Sequence, residues 1–386
     1  METTLTRVHD ISPVIAKRSE EIEQARRVPA DLLDMLLQAG CLRMGTPAGH
    51  GGDDLPLPAV LRVIEALAEA DGSVSWIVGQ AFIAQVIFGY FPAATVDEIY
   101  AARPDIIGAG AVAPKGRAVR QRDGWRITGQ WPFASGCLDA SWIYLQCLVA
   151  SESGEPCMRP DGIPEFRMAI FPARKIRILD TWHVMGLRGT GSHDVRVTRG
   201  HCPNDRACAF TAEPSPSGSL RLRIHGRDQG GLVIAATALG IARGALDELA
   251  QLAGTKRPAF SRQRLSESPV FQDRLGEAHM TLRAARALLY AEAESAWATT
   301  VMRGEPLTAL ERGAIRAVGP AVVSLAVQVT DTAHKLAGGS AIYEGAALQR
   351  RLRDVHTASA HFSAGRTFYE AVGALLAGQP SGESLL

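Results

Sequence analysis

Apolar positions in the first hundred residues recur three and four apart, the spacing of one helix face. Over 29–38, Leu32, Leu33, Leu36 and Leu37 carry the pattern and Gly40 stops it. Over 60–70, Val60, Val63, Ile64 and Leu67 repeat it, and Asp71-Gly72-Ser73 breaks the chain and caps a helix beginning near Val74. Ser12-Pro13 reads as a further helix start, a cap followed by proline at the first helical position. The longest apolar run, 76–91, is interrupted by Gly79, Gln80, Gln85 and Gly89, so a buried helix is expected rather than a membrane span.

After Pro104 the period shortens. Segments 106–112, 118–122, 125–128, 142–149 and 166–171 read as strands, with 176–179 and 194–197 adding more. Asp123-Gly124 is a hairpin signal. No crossover helix has room to form, so the region is expected to be antiparallel. Residues 203–222, rich in Pro, Ser, Gly and Ala, read as a connection.

Helical spacing then returns over 231–253, 269–302, 309–336 and 353–376. Ser268-Pro269 starts the second of these, and Thr308 with Glu311 forms a capping box for the third. Gly254, Gly304 and Gly338-Gly339 mark ends. The expected class is α+β: an N-terminal helical domain (1–104), a central antiparallel β-domain (105–222) and a C-terminal four-helix bundle (223–386).

Composition narrows the function. Hydrophobic residues make up 46% and charged residues 21%, with formal net charge +1 and no basic or acidic tail. Neither nucleic acid nor an anionic membrane is an expected partner. The N-terminus METTLTRVHDISP lacks the apolar core of a signal peptide. The six cysteines include no C-x-x-C pair, which excludes the usual zinc and disulfide frameworks and fits the cytoplasm. No G-x-G-x-x-G follows a strand, so the chain is not expected to bind NAD(P)H.

Four motifs occur in order. They are Pro47-x-x-x-Gly51-Gly52; Gly186-Leu187-Arg188-Gly189-Thr190-Gly191-Ser192; Gly338-Gly339; and Arg350-x-x-Arg353-Asp354. Together with the α, β, α order they resemble the acyl-CoA dehydrogenase architecture along nearly the whole chain. Gly129-Gln130-Trp131-Pro132-Phe133-Ala134-Ser135-Gly136-Cys137 resembles one branch, the group D flavin monooxygenases, and so do the segments 71–76 and 353–361. That branch comprises oxygenase components of two-component systems.

The chemistry separates the branches. A dehydrogenase of this family needs a carboxylate base to take an α-proton from a thioester. By resemblance, the two places that supply it correspond to Gly230 and to His361-Phe362, and no Asp or Glu lies between Val355 and Tyr369. The resemblance therefore implies a monooxygenase using reduced FMN or FAD and molecular oxygen. It would act through a flavin C4a-hydroperoxide, with a separate NAD(P)H-dependent reductase supplying the flavin. It further implies Ser135 as the hydroxyl near flavin N5 and His361 as the imidazole that holds or moves a proton.

For the cofactor, the resemblance points to Trp131, Phe133, Ser135, Ser192, Arg257, Arg262, Gly338 and Gly339. Trp131 and Phe133 alternate, so both should face one side. His356 competes with His361; five residues apart on one helix, they would point about 140° apart. Trp76, Phe82 and Phe362 are candidates for a substrate pocket. Several relatives carry a histidine soon after the segment matching 71–76, but this chain has none between Asp71 and Pro92. That disfavours a two-histidine phenol mechanism and leaves room for an indole-like or polycyclic substrate. The resembling family is usually tetrameric. Two rivals stand beside this reading: an acyl-CoA dehydrogenase with a displaced base, and a non-catalytic flavin-binding scaffold.

Overall fold

The structure, a computed structural model, describes residues 3–209 and 219–379. Six helices come first: α1 (Thr4–Lys17), α2 (Ser19–Ala25), α3 (Ala30–Ala39), α4 (Leu57–Ala70), α5 (Gly72–Phe88) and α6 (Ala93–Tyr100). Seven strands follow: β1 (Gly108–Gln121), β2 (Gly124–Trp131), β3 (Trp142–Ala150), β4 (Phe166–Pro172), β5 (Arg177–Leu179), β6 (Asp194–Pro203) and β7 (Ala207–Cys208). The C-terminal helices are α7 (Gly226–Thr255), α8 (Pro269–Trp297), α9 (Ala309–Ala337), α10 (Ala347–Ser359) and α11 (Thr367–Leu376).

Most helix ends follow local chemistry. The Asp71 carboxylate accepts from the N–H groups of Ser73 and Val74 at 2.9 and 3.0 Å and starts α5. Gly40 closes α3 with φ +86°, a conformation that favours glycine. Thr308 and Glu311 form the expected capping box of α9. The Ser12-Pro13 start is corrected: Thr3 caps α1, Pro13 lies inside the helix, and the Ser12 hydroxyl turns back to the Val8 carbonyl.

Helix α5 has no polar face because it is enclosed on nearly every side. Gly79 lets α7 approach: a methyl group there would sit 2.7 Å from Val233 Cγ1. By length and apolarity α9 could cross a membrane, but most of that stretch is buried within the protein. It packs against α7, α8, α10 and α11.

The sheet runs β5-β6-β2-β1-β3-β4-β7. The first two expected strands are one, β1, and the hairpin loop is Arg122-Asp123 with Gly124 already paired. The expectation of a purely antiparallel region is corrected, because β1 and β3 pair in parallel. Their crossover contains no helix. It consists of β2, which pairs on the far side of β1, and the segment 132–141, which returns across the sheet end. The expected connection 203–222 also contains β7, paired to β4; its residues 210–218 lie outside the described residues.

The expected fourth bundle helix is two helices, α10 and α11, separated by the turn 360–366. The chain leaves the helix at Ala360 and turns at His361, whose ring accepts the Ser363 N–H in place of a helical carbonyl.

Candidate active site

The helix-free crossover carries the first part of the site. Trp131 and Phe133 do not share a face as strand alternation predicts. Phe133 adopts φ +66°, which reverses the alternation, so Trp131 is fully buried and Phe133 is 69% exposed. Trp131 fills the β-domain core over Gly116 and Gly129, where any side chain would overlap its ring, and its Nε1 donates to the Gln146 carbonyl at 2.7 Å. The expected cofactor contact of Trp131 is therefore corrected to a core role. The next residues are stitched to the 186–193 loop: Ala134 N donates to His193 O and Gly136 N to Thr190 O, at 3.1 and 3.0 Å.

That loop is wedged between domains. A side chain at Gly186 would overlap the Arg353 carbonyl, and one at Gly189 would run into Ile22 and Ser73. Leu187, at φ +50°, donates its N–H to Asp354 Oδ1 at 2.6 Å. Burial, and then the nearby Asp71, push the Asp354 carboxyl up to about 7. The Leu187 carbonyl accepts from Trp182 Nε1 at 3.2 Å and from the Thr190 hydroxyl at 2.8 Å.

From Thr190 a chain of buried hydroxyls runs to the crossover. Thr190 Oγ1 lies 2.7 Å from Ser192 Oγ, which lies 2.7 Å from Ser135 Oγ. Trp76 Nε1 donates to Ser135 Oγ at 3.0 Å. The Trp76 ring also stands edge-on to His361, centroids 5.6 Å apart, and Phe362 leans on His361 at 4.5 Å. One indole from α5 thus joins Ser135 and His361, which lie 226 positions apart in sequence.

His361 is the cap of a short turn, not a helix residue, so the rotation argument against His356 does not apply. His356 is instead paired with Asp331 at 2.8 Å. His361 Nδ1 accepts the N–H of Ser363 at 3.2 Å. An accepting Nδ1 leaves the proton of a neutral imidazole on Nε2. Burial pushes the ring's pKa down to about 4, so it is neutral at physiological pH.

The two positions that lack a carboxylate converge here. A side chain on Gly231 would meet Ser363 Cβ at 4.0 Å, and one on neighbouring Gly230 would meet Ile83 of α5 at 3.9 Å. Phe82 is corrected from pocket to core: it is 1% exposed, and the buried Arg221 guanidinium lies over its face. Phe362 is 56% exposed.

Arg257, Arg262, Gly338 and Gly339 form a separate group. Lys256 Nζ donates to the Ala337 carbonyl, which joins the 256–262 loop to the glycine turn, and Arg257 donates to the Arg262 carbonyl. Gly231 and Lys256 are 25 residues apart, about 37 Å along a helix. Within one chain this group therefore lies at the far end of α7 from Gly231, and among the described residues no contact joins it to Ser135. Thr190, Leu187 and Asp354 were missed as contributors, although each lies in a motif already singled out. Among the described residues no cluster of three His, Cys, Asp or Glu side chains could hold a metal.

Residues 11–90 match the acyl-CoA dehydrogenase N-terminal domain, and residues 232–365 match the acyl-CoA dehydrogenase C-terminal domain. The chain belongs to the acyl-CoA dehydrogenase family. It is 29% identical to the indole-3-acetate monooxygenase of Pseudomonas putida over 94% of its length and 90% of that protein. It is 27% identical to the flavin-dependent monooxygenase oxygenase subunit HsaA of Rhodococcus jostii, covering 92% and 93% of the two chains. The solved structure of XiaF from Streptomyces sp., in complex with FADH2 and glycerol, superposes with a TM-score of 0.91 at 26% identity, over 98% and 96% of the chains.

Proposed function

We infer that this chain is the oxygenase component of a two-component, reduced-flavin-dependent monooxygenase acting on a small aromatic compound. One observation carries the reading. Where a dehydrogenase of this family needs a carboxylate, the chain places Gly230 and the His361-Phe362 pair. The relatives named monooxygenase support it.

The residues fit a flavin ring. An exposed aromatic edge (Phe133), a hydroxyl with a lone pair left over (Ser135) and an imidazole N–H (His361) suit a flat heteroaromatic with polar ring atoms. Bound reduced FMN or FAD would supply the oxygen-activating chemistry. Ser135 faces the ring at N5 in this reading. His361, held neutral, keeps a proton on Nε2 to donate to an oxygen atom beside it, and its tautomer makes it a donor rather than a base. Trp76 and Phe362 exclude water and present aromatic faces to the substrate. The aromatic lining, and the lack of a histidine between Asp71 and Pro92, favour an apolar indole-like or polycyclic substrate over a phenol that must be deprotonated.

A separate NAD(P)H-dependent reductase delivers the flavin. Arg257, Arg262, Gly338 and Gly339 reach a flavin only from another subunit, which supports a homotetramer. Phe260, Ile342 and Tyr343, all largely exposed beside them, offer apolar area for that contact. Six free cysteines accord with a reducing cytoplasm.

Incubation with acyl-CoA thioesters in D2O without oxygen tests the choice of branch. No α-proton exchange is expected. Robust exchange makes the chain a dehydrogenase with its base elsewhere.

A further inference from the structure

The hydroxyls around Ser135 can be oriented only one way. The Leu187 carbonyl oxygen can only accept, so the Thr190 proton points to it across 2.8 Å; turned elsewhere, it would leave two oxygens facing each other with lone pairs. Thr190 Oγ1 must then accept the Ser192 proton, and Ser192 Oγ must accept the Ser135 proton, each across 2.7 Å. Trp76 fills one acceptor site of Ser135 from the other side. Ser135, Ser192 and Thr190 are 8%, 2% and 1% exposed, so water is largely kept from reorienting them.

We propose that the Leu187 carbonyl, acting through Thr190 and Ser192, fixes Ser135 as a hydrogen-bond acceptor toward the cleft, so that the site selects flavin carrying a proton on N5. Reduced flavin bears an N5–H and meets the free lone pair. Oxidised flavin presents a bare N5 lone pair and meets a second one. Thr190 and Ser192 are positioning residues acting on the Ser135 hydroxyl. Trp76 is a third, since its N–H takes the acceptor site through which Ser135 could otherwise bond to water. A two-component oxygenase must take up reduced flavin and release the oxidised form, and a hydroxyl of fixed polarity biases that exchange in the useful direction. The inference rests on the placement of Ser135 at N5 under Proposed function.

Anaerobic titration of the purified protein with reduced and with oxidised FMN and FAD gives the ratio of the two Kd values. In Thr190→Val the Ser192 proton loses its acceptor and turns to Ser135, whose own proton is freed toward the cleft. Oxidised flavin should then bind more tightly and reduced flavin more weakly, lowering the preference about tenfold, one hydrogen bond's worth. Ser192→Ala should move the ratio the same way and serves if the valine variant does not fold. Thr190→Ser should restore the parent ratio. An unchanged ratio in both Thr190→Val and Ser192→Ala overturns the fixed polarity. Ser135→Ala separates the two layers. If it leaves the ratio unchanged, Ser135 does not face N5 and the site placement fails. If it changes the ratio while the other variants do not, the placement stands and the polarity inference alone falls.

Discussion

Around Ser135, along the first half of α7, the protein is closed and a chain of buried hydroxyls is paired. The hydroxyls of Ser135, Ser192 and Thr190 are bonded in sequence, and the Leu187 peptide is held at both its N–H and its carbonyl. Beyond the end of α7 the opposite holds. Arg257 and Arg262 are exposed, Phe260 is wholly in solvent, and Gly339 has nothing within 4 Å of where a side chain would begin. Both regions were expected to touch one flavin. The contrast teaches that the chain by itself closes the end that holds Ser135 and leaves the other end open to solvent. Preorganised polar groups need burial, and the Ser135 hydroxyl chain finds it where the crossover, the 186–193 loop and α5 pack together.

The largest test breaks the closed end. Gly186→Val forces a side chain into the Arg353 carbonyl and should cost about 3 kcal/mol or more, read as a large drop in melting temperature. Gly339→Val, at the open end, should leave the melting temperature of a dilute sample nearly unchanged. Equal losses would erase the distinction.

Next comes the indole that joins the two halves of the site. Trp76→Phe keeps an aromatic ring but removes the N–H to Ser135. Product formed per oxygen consumed should fall by about tenfold, the difference appearing as peroxide, with little loss of fold. Full coupling in this variant would reduce Trp76 to packing.

A smaller effect concerns proton balance. The His361 ring titrates at about 4 in the fold and near its ordinary 6.5 when unfolded. Between those values the unfolded chain binds more protons, so this residue lowers stability as pH falls from 6.5 toward 4. Urea midpoints across that window should drop less in His361→Asn than in the parent. Identical slopes would mean that His361 is not held neutral by its surroundings.

The smallest change is at the open end. Arg257→Ala with Arg262→Ala should leave stability within about 0.5 kcal/mol, because both side chains are exposed, while flavin affinity weakens in the assembled protein. Unaltered flavin affinity would remove these arginines from the cofactor site.

What the sequence made legible follows from how local each signal is. Asp71, Gly40 and the Thr308–Glu311 box act within four residues, so helix ends were readable from neighbours alone. The parallel β1–β3 pair was not, because its crossover uses a strand and a loop rather than a helix. The opposed directions of Trp131 and Phe133 depend on one left-handed residue, which alternation cannot anticipate. Ser135 and His361 were visible as motif positions. Trp76, which joins them, and Thr190, which orients the hydroxyls, gain their roles only from tertiary contacts. The break between α10 and α11 changed the meaning of His361 most: on a helix it would be one of two competing histidines, but in the turn its accepting Nδ1 decides which nitrogen keeps the proton.

Oxygen insertion by reduced flavin leaves a direct mark in the product. The direct measurement is mass spectrometry of products formed by the purified protein with a flavin reductase, NAD(P)H and ¹⁸O₂, across a panel of indoles, phenols and sulfur heterocycles. One labelled oxygen atom is expected in the product, strongest among the apolar bicyclic compounds and lost in His361→Ala. Reduced flavin consumed to peroxide with every member of the panel, and no label in any product, would contradict it.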